Sequence, residues 1–237
     1  MNRPILLAFA WCVLAAGSVR ADPFEGKIDM SITTGGGLPQ TIQYETRGDQ
    51  VRMNVSGKGQ QVSMIMDLSK EQMLILIPQR RMYLVRPLPA MGPGADSGPG
   101  NTQPTTTPRD SGLVHTGEKA TILGYPCTKY TVAGQGGTVE VWATDELGNF
   151  AGFGGIARGP HGGMPGSAPP AEWEQALVGK GFFPLKVTGT DSQGRSFKLE
   201  VTSVQRESLP ASEFSPPEGY QEFNMGSFMG GAGGYGH

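Results

Sequence analysis

The sequence predicts a mainly β protein: a curved antiparallel sheet or half-open barrel of about eleven strands with one short helix. Three observations lead there. Apolar residues recur at every second position through much of the chain, the period of a strand with one wet face. Clusters of Gly and Pro interrupt those runs at short intervals, as tight turns require. Only the stretch 170–177 has a helical start, with Pro170 ahead of Glu172 and Glu174. A sheet of that many strands must curl or close, because flat sheets of this size are unusual.

Each element follows from its own residues. Phe24, Gly26, Ile28, Met30 and Ile32 alternate with Glu25, Lys27, Asp29, Ser31 and Thr33, until residues 35–37, all glycine, end the strand. Ile42, Tyr44 and Thr46 keep the period. Gly48 and Asp49, set before Val51, Met53 and Val55, then read as a tight hairpin. Residues 62–66, 73–77 and 82–85 are apolar with little alternation, so both of their faces need cover. Turns at 67–70 and 78–80 make these six strands an antiparallel meander. Residues 120–123, 125–132 and 138–143 supply three more strands, separated by Gly124 and the turn at 134–137. In the helix, Trp173 and Leu177 are four apart and share a face, and Gly179 and Gly181 stop it. Leu185 and Val187, then Phe197, Leu199 and Val201, form a last hairpin around 191–195. A helix of this size is about 12 Å long, too short to shield so many strands. Some apolar surface is therefore expected to stay accessible, as a cavity or a partner site.

Domain organisation starts with residues 1–21, which read as a signal peptide. Arg3 gives a positive start, residues 5–16 are apolar, and Val19-Arg20-Ala21 suits a signal peptidase. That apolar run is well short of the roughly 20 residues of a spanning helix. Trp11 before Cys12 does not fit a lipoprotein signal. The expected location is periplasmic, with the extracellular space as the alternative. Residues 22–223 form a single β-rich domain, interrupted by a flexible Pro/Gly/Thr-rich insert at 88–112 and a Gly-rich loop at 148–169. Residues 224–237 are a Gly/Met-rich tail expected to be disordered. After cleavage Cys127 is the one cysteine left, so no internal disulfide can form; it reads as a small buried residue of a strand.

Composition excludes several functions. With 19 Lys and Arg against 21 Asp and Glu, nothing neutralises a phosphate backbone, and nucleic acid is not an expected partner. His115, His161 and His237 are far apart and lack neighbours at ligand spacing, so no metal and no cofactor are expected. Neither a Gly-x-Ser-x-Gly elbow nor a P-loop occurs. Gly152-x-Gly154-x-x-Ala157 does not join a strand to a helix. With no nucleophile, base or metal set in view, the chain is not expected to be an enzyme. The mature chain has no apolar stretch long enough for a transmembrane helix.

Methionine is the compositional oddity. Of the 11, Met30, Met53, Met64, Met66, Met73 and Met82 fall on expected strands. Thioether clusters can bind Cu(I), but these residues occupy apolar slots, where Met serves as core filler or as an adaptable lining for varied apolar ligands. Met30, Met53, Met64, Met66 and Met73, with Trp173 and Leu177, are the candidate ligand-binding residues.

The run Gly117-Glu118-Lys119-Ala120-Thr121-Ile122-Leu123-Gly124-Tyr125-Pro126-Cys127-Thr128-Lys129-Tyr130, with Glu140-Val141-Trp142-Ala143-Thr144, resembles exported bacterial proteins of domain-of-unknown-function family 4412. So do Gly48-Asp49-Gln50-Val51-Arg52-Met53 and Met82-Tyr83 after Pro78. Phe214-Ser215-Pro216-Pro217-Glu218-Gly219-Tyr220 is similar in outline to a closing motif of the lipoprotein-carrier (LolA/LolB-like) superfamily. The likeness spans residues 24–220. It implies a carrier-like half-barrel and brings no catalytic residues. Two functions are expected from this point: a non-enzymatic periplasmic binding or carrier-like protein for lipid or another apolar ligand, or a structural or protein-interaction component of the cell envelope. Cu(I) binding ranks third.

Overall fold

A computed structural model describes residues 23–57, 60–88, 112–153 and 171–223. The expected signal segment, nearly all of the 88–112 insert, residues 154–169 of the expected Gly-rich loop and the 224–237 tail lie outside the described residues.

The described residues form one sheet of twelve strands: β1 (Gly26–Thr34), β2 (Gln40–Arg47), β3 (Gln50–Gly57), β4 (Gln60–Asp67), β5 (Gln72–Ile77), β6 (Met82–Pro87), β7 (Leu113–Ile122), β8 (Tyr125–Gly134), β9 (Gly137–Thr144), β10 (Phe183–Thr190), β11 (Ser196–Arg206) and β12 (Gln221–Glu222). Its order is β12-β6-β5-β4-β3-β2-β1-β11-β10-β9-β8-β7, with β7 and β12 at the unclosed edges. The mainly β, half-open architecture read from the residues is the one observed. The first six strands are the meander expected, and β11 closes back on β1 so that both halves share one sheet.

Strand alternation sorts the side chains. Ile28 pairs with Tyr44, Tyr44 with Met53, Met53 with Met64 and Met64 with Ile75, which puts one apolar row on the concave face from β1 to β5. The opposite face presents Asp29, Gln43, Glu45, Arg52 and Asn54. Gln43 donates Nε2–H to Asp29 Oδ1 at 3.4 Å, and Ser63 donates its hydroxyl to Asn54 Oδ1 at 2.7 Å.

Two details differ from the expectation. The seventh strand begins at Leu113 rather than Ala120. It is an edge strand with a register shift between His115 and Lys119, where Gly117 takes φ +83°, so it shows no clean alternation to read. The twelfth strand has two residues and pairs with β6 in parallel, too short a piece to leave a period.

A second correction concerns cover. The helix α1 (Glu172–Leu177) is not the sole shield of the apolar strands. After β11 the chain crosses the convex face. Leu209 and Phe214 pack on Ile65 and Leu76, with Leu74, Tyr83 and Tyr220 around them. This strap is tied at both ends: Leu209 N–H donates to Glu25 Oε1 at 2.7 Å, Gln221 N–H to Arg81 O at 2.9 Å and Phe223 N–H to Tyr83 O at 2.8 Å. Both faces of β4 and β5 are thus buried, as their unalternating sequence demands. Among the described residues no helix is long and apolar enough to cross a membrane.

Candidate functional site: the concave face

The seven candidate residues all join one buried cluster. Met30, Met53, Met64 and Met66 have no exposed surface, Met73 has 1%, Trp173 4% and Leu177 none. Pairing makes Met53 and Met64 direct cross-strand neighbours, and likewise Met66 and Met73. The four thioethers therefore form one patch over β3, β4 and β5, with Met30 two strands away from β3 on β1. Trp173 and Leu177 belong to the other wing, because α1 packs over β8 and β7. Within that one cluster Met53, Met64, Met66 and Met73 are neighbours, while the helical pair sits on the opposite wing.

Between the wings lies an aromatic insert, at the start of the stretch expected to be a Gly-rich loop. Leu147, Phe150, Ala151 and Phe153 are buried. Phe150 stacks on Trp173 with ring centroids 5.9 Å apart and meets Phe153 edge-on at 5.1 Å and Phe183 at 5.6 Å. Tyr44 completes the group, 5.3 Å from Phe183. Such offset and edge contacts add to the area these rings remove from water. Gly152, at φ +76°, lets the backbone turn between the two Phe residues in a conformation that glycine adopts without strain. Two Phe three apart are not what a solvated glycine loop needs, and that was the available signal.

Three polar contacts hold the insert. Ala151 N–H donates to Tyr44 Oη at 3.0 Å, Phe153 N–H to Glu174 Oε2 at 3.1 Å and Phe150 N–H to Phe182 O at 3.1 Å. Burial pushes the Tyr44 phenol far above its usual range, and the bond from Ala151 only partly opposes this. Tyr44 is therefore a neutral hydrogen-bonding anchor. Glu172 and Glu174 stand in the first turn of α1 as read, but Glu174 is 4% exposed and serves the insert rather than solvent.

Cys127 is buried, and its thiol lies 3.5 Å from Tyr125 O; burial raises its pKa, which disfavours the thiolate. A groove of about 330 Å³ beside it is lined by Lys119, Ala120, Thr121, Pro126, Thr128 and Asp145. Among the described residues no three His, Cys, Asp or Glu side chains converge as a metal site.

Fold and site together define a curved-sheet protein with one apolar face closed over by its own chain. The chain belongs to the family described as Domain of unknown function (DUF4412), whose model matches residues 24–220. No curated protein matches it. Among solved structures it is similar to an uncharacterized conserved protein from Thermus thermophilus, with 10% identity, a TM-score of 0.45 and coverage of 84% of this chain and 90% of that one. It is also similar to PNGF-II, with 16% identity and a TM-score of 0.46 over 87% of this chain. The chain spans only about a third of PNGF-II, 32% of its length.

Proposed function

We propose that the protein is a non-enzymatic, exported binding protein of carrier type, in which the methionine wall of β3–β5 receives an apolar group such as a lipid chain. The reading extends the outline likeness to lipoprotein carriers and has the protein act in the periplasm. The observation that supports it is the contiguous patch of Met53, Met64, Met66 and Met73 on the concave face. Unbranched thioether side chains repack around varied shapes at small cost, a property that a binding wall uses and a fixed core does not need. The aromatic insert, held by a few hydrogen bonds, is the cover that would give way.

A second reading, a structural or protein-interaction component of the cell envelope, draws on the same residues. Full burial of all four methionines is what a solid core also shows. One experiment separates the two. Protein purified from its native envelope is extracted and analysed for lipid by mass spectrometry, and the stripped protein is titrated with a fluorescent fatty acid. Bound lipid, and probe binding that strengthens in Phe150→Ala, support the carrier. No lipid and no probe binding in either protein leave the structural reading.

A further inference from the structure

Beneath the strap, on the convex face, two carboxyl groups meet. Glu45 of β2 is 5% exposed, and strand pairing sets it between Lys27 of β1 and Arg52 of β3. Over it lies Glu213, in the single 3-10 turn 211–214 of the strap. The Oε2 atoms of Glu45 and Glu213 are both buried and lack a hydrogen-bond partner among the described residues. The nearby cations are engaged elsewhere. Arg52 donates Nη1–H to the Glu213 main-chain oxygen at 2.9 Å and Nε–H to Asn54 Oδ1 at 3.4 Å. Lys27 Nζ pairs with Glu207 at 3.4 Å. A buried acceptor without a donor is costly, and two facing carboxylates repel. One proton held between them removes both penalties, since a protonated carboxyl donates to its ionised neighbour.

We propose that the strap is a pH-operated latch. A proton shared by Glu45 and Glu213 holds residues 207–223 on the convex face; its loss loosens the strap, uncovers Ile65 and Leu76 and frees the β6 edge.

The charged groups around the pair are Lys27 from β1 and Arg52 from β3, with Glu207, Glu25 and Arg47 at the strap's start. Arg47 Nε lies 3.7 Å from Glu25 Oε1. Burial first, and the Glu213 charge second, push the Glu45 carboxyl above its usual range; Arg52 and Lys27 pull downward and do not offset them. For Lys27, burial lowers the pKa, but Glu213, Glu207 and Glu45 outweigh it and raise it, so Lys27 stays charged while the pair titrates. The latched state binds its proton more tightly than the released state does. Its stabilisation is thus full below the ordinary Glu value of about 4.3 and is lost as pH rises through the raised one.

Hydrogen exchange on the full chain, with rates corrected for intrinsic pH dependence, provides the test. Between about pH 5 and about pH 8 the amides of Leu209, Gln221 and Phe223 should lose protection by roughly tenfold. Val141 and Leu199, in the sheet, should not. Glu45→Gln supplies a permanent donor and should keep the strap protected at both pH values. Glu213→Gln should do the same from the strap side, and it carries the test if the strand variant does not fold. Equal wild-type protection at both pH values, or an unchanged pH dependence in Glu213→Gln, overturns the latch. So does rescue at high pH by millimolar calcium in wild type but not in Glu213→Gln, which would make the pair a cation site.

Discussion

The two faces of β4 and β5 bury similar side chains under different covers. On the concave side Met64, Met66, Met73 and Ile75 enter a cluster that spans the sheet and is filled from the connection between β9 and β10. On the convex side Ile65 and Leu76 meet only Leu209 and Phe214 as buried partners among the described residues, supplied by a strap that is one segment wide. The first face is continuous with the main core of the protein. The second is a local closure that can open while the sheet survives, since few apolar contacts and discrete hydrogen bonds hold it. Similar strand chemistry therefore yields a global core on one side and a separable unit on the other.

That contrast can be broken from the concave side first. Met66→Asp places a carboxylate inside an apolar cluster where no surface is exposed, so its cost should exceed about 4 kcal/mol, with no cooperative unfolding transition left to measure. Phe150→Ala removes a ring touching Tyr44, Phe153, Trp173 and Phe183, and should lower the global urea midpoint by an equivalent of about 3–5 kcal/mol. Phe214→Ala deletes a ring of similar size from the convex cluster, yet its effect should be local. Exchange protection should drop at Leu209 and Gln221, while the midpoint moves by less than half the Phe150 shift; equal shifts would show that the strap is part of the global core. Tyr44→Phe keeps the ring and leaves Ala151 N–H without its acceptor, a loss of about 1–3 kcal/mol in the same denaturation experiment.

The same contrast explains what could be read from the residues. Strands that alternate, such as β1 with Ile28, Met30 and Ile32 inward, declared both their existence and their face. The unalternating run of β4 declared that Ser63 and Ile65 on one face, and Met64 and Met66 on the other, both needed cover, and no more. Period two reports burial; it carries no name for the segment that does the burying. Leu209 and Phe214 sit in a stretch without any period, and Phe150 and Phe153 sit among glycines, so pattern alone could not assign them. The methionine patch was legible because each of its members occupies a strand slot. The Trp173 and Leu177 pair was legible as a helix face, but its place over β7 and β8 follows from the return of β8–β11 to β1, a topological fact that no local spacing encodes.

The smallest expected effect sharpens the convex side and has the opposite pH sign to the latch. Asp67 ends β4 in convex register and is 6% exposed. Its Oδ1 accepts the Ser69 hydroxyl at 2.6 Å and Lys70 N–H at 3.1 Å, while Oδ2 meets Lys70 Nζ at 2.8 Å. The Lys70 and Ser69 side-chain bonds, outweighing burial, hold this carboxyl down at about 2. A depressed value means that the folded state prefers the ionised form. The stabilisation is present above the ordinary Asp value of about 3.9 and fades as pH falls through about 2. Lys70 is 66% exposed, so its charge is screened and the neutral bonds should carry most of the effect. Asp67→Asn should cost about 1 kcal/mol at neutral pH. Lys70→Met should cost less and lose what it costs in high salt. Denaturation midpoints of the two variants, measured near pH 7 and again below about pH 2, should converge with wild type only at the acid end. Glu45→Gln should also differ from wild type only where the pH is high enough to strip the shared proton, but there it should protect the strap where Asp67→Asn costs stability, so the two convex carboxylates can be told apart by the sign of their effect.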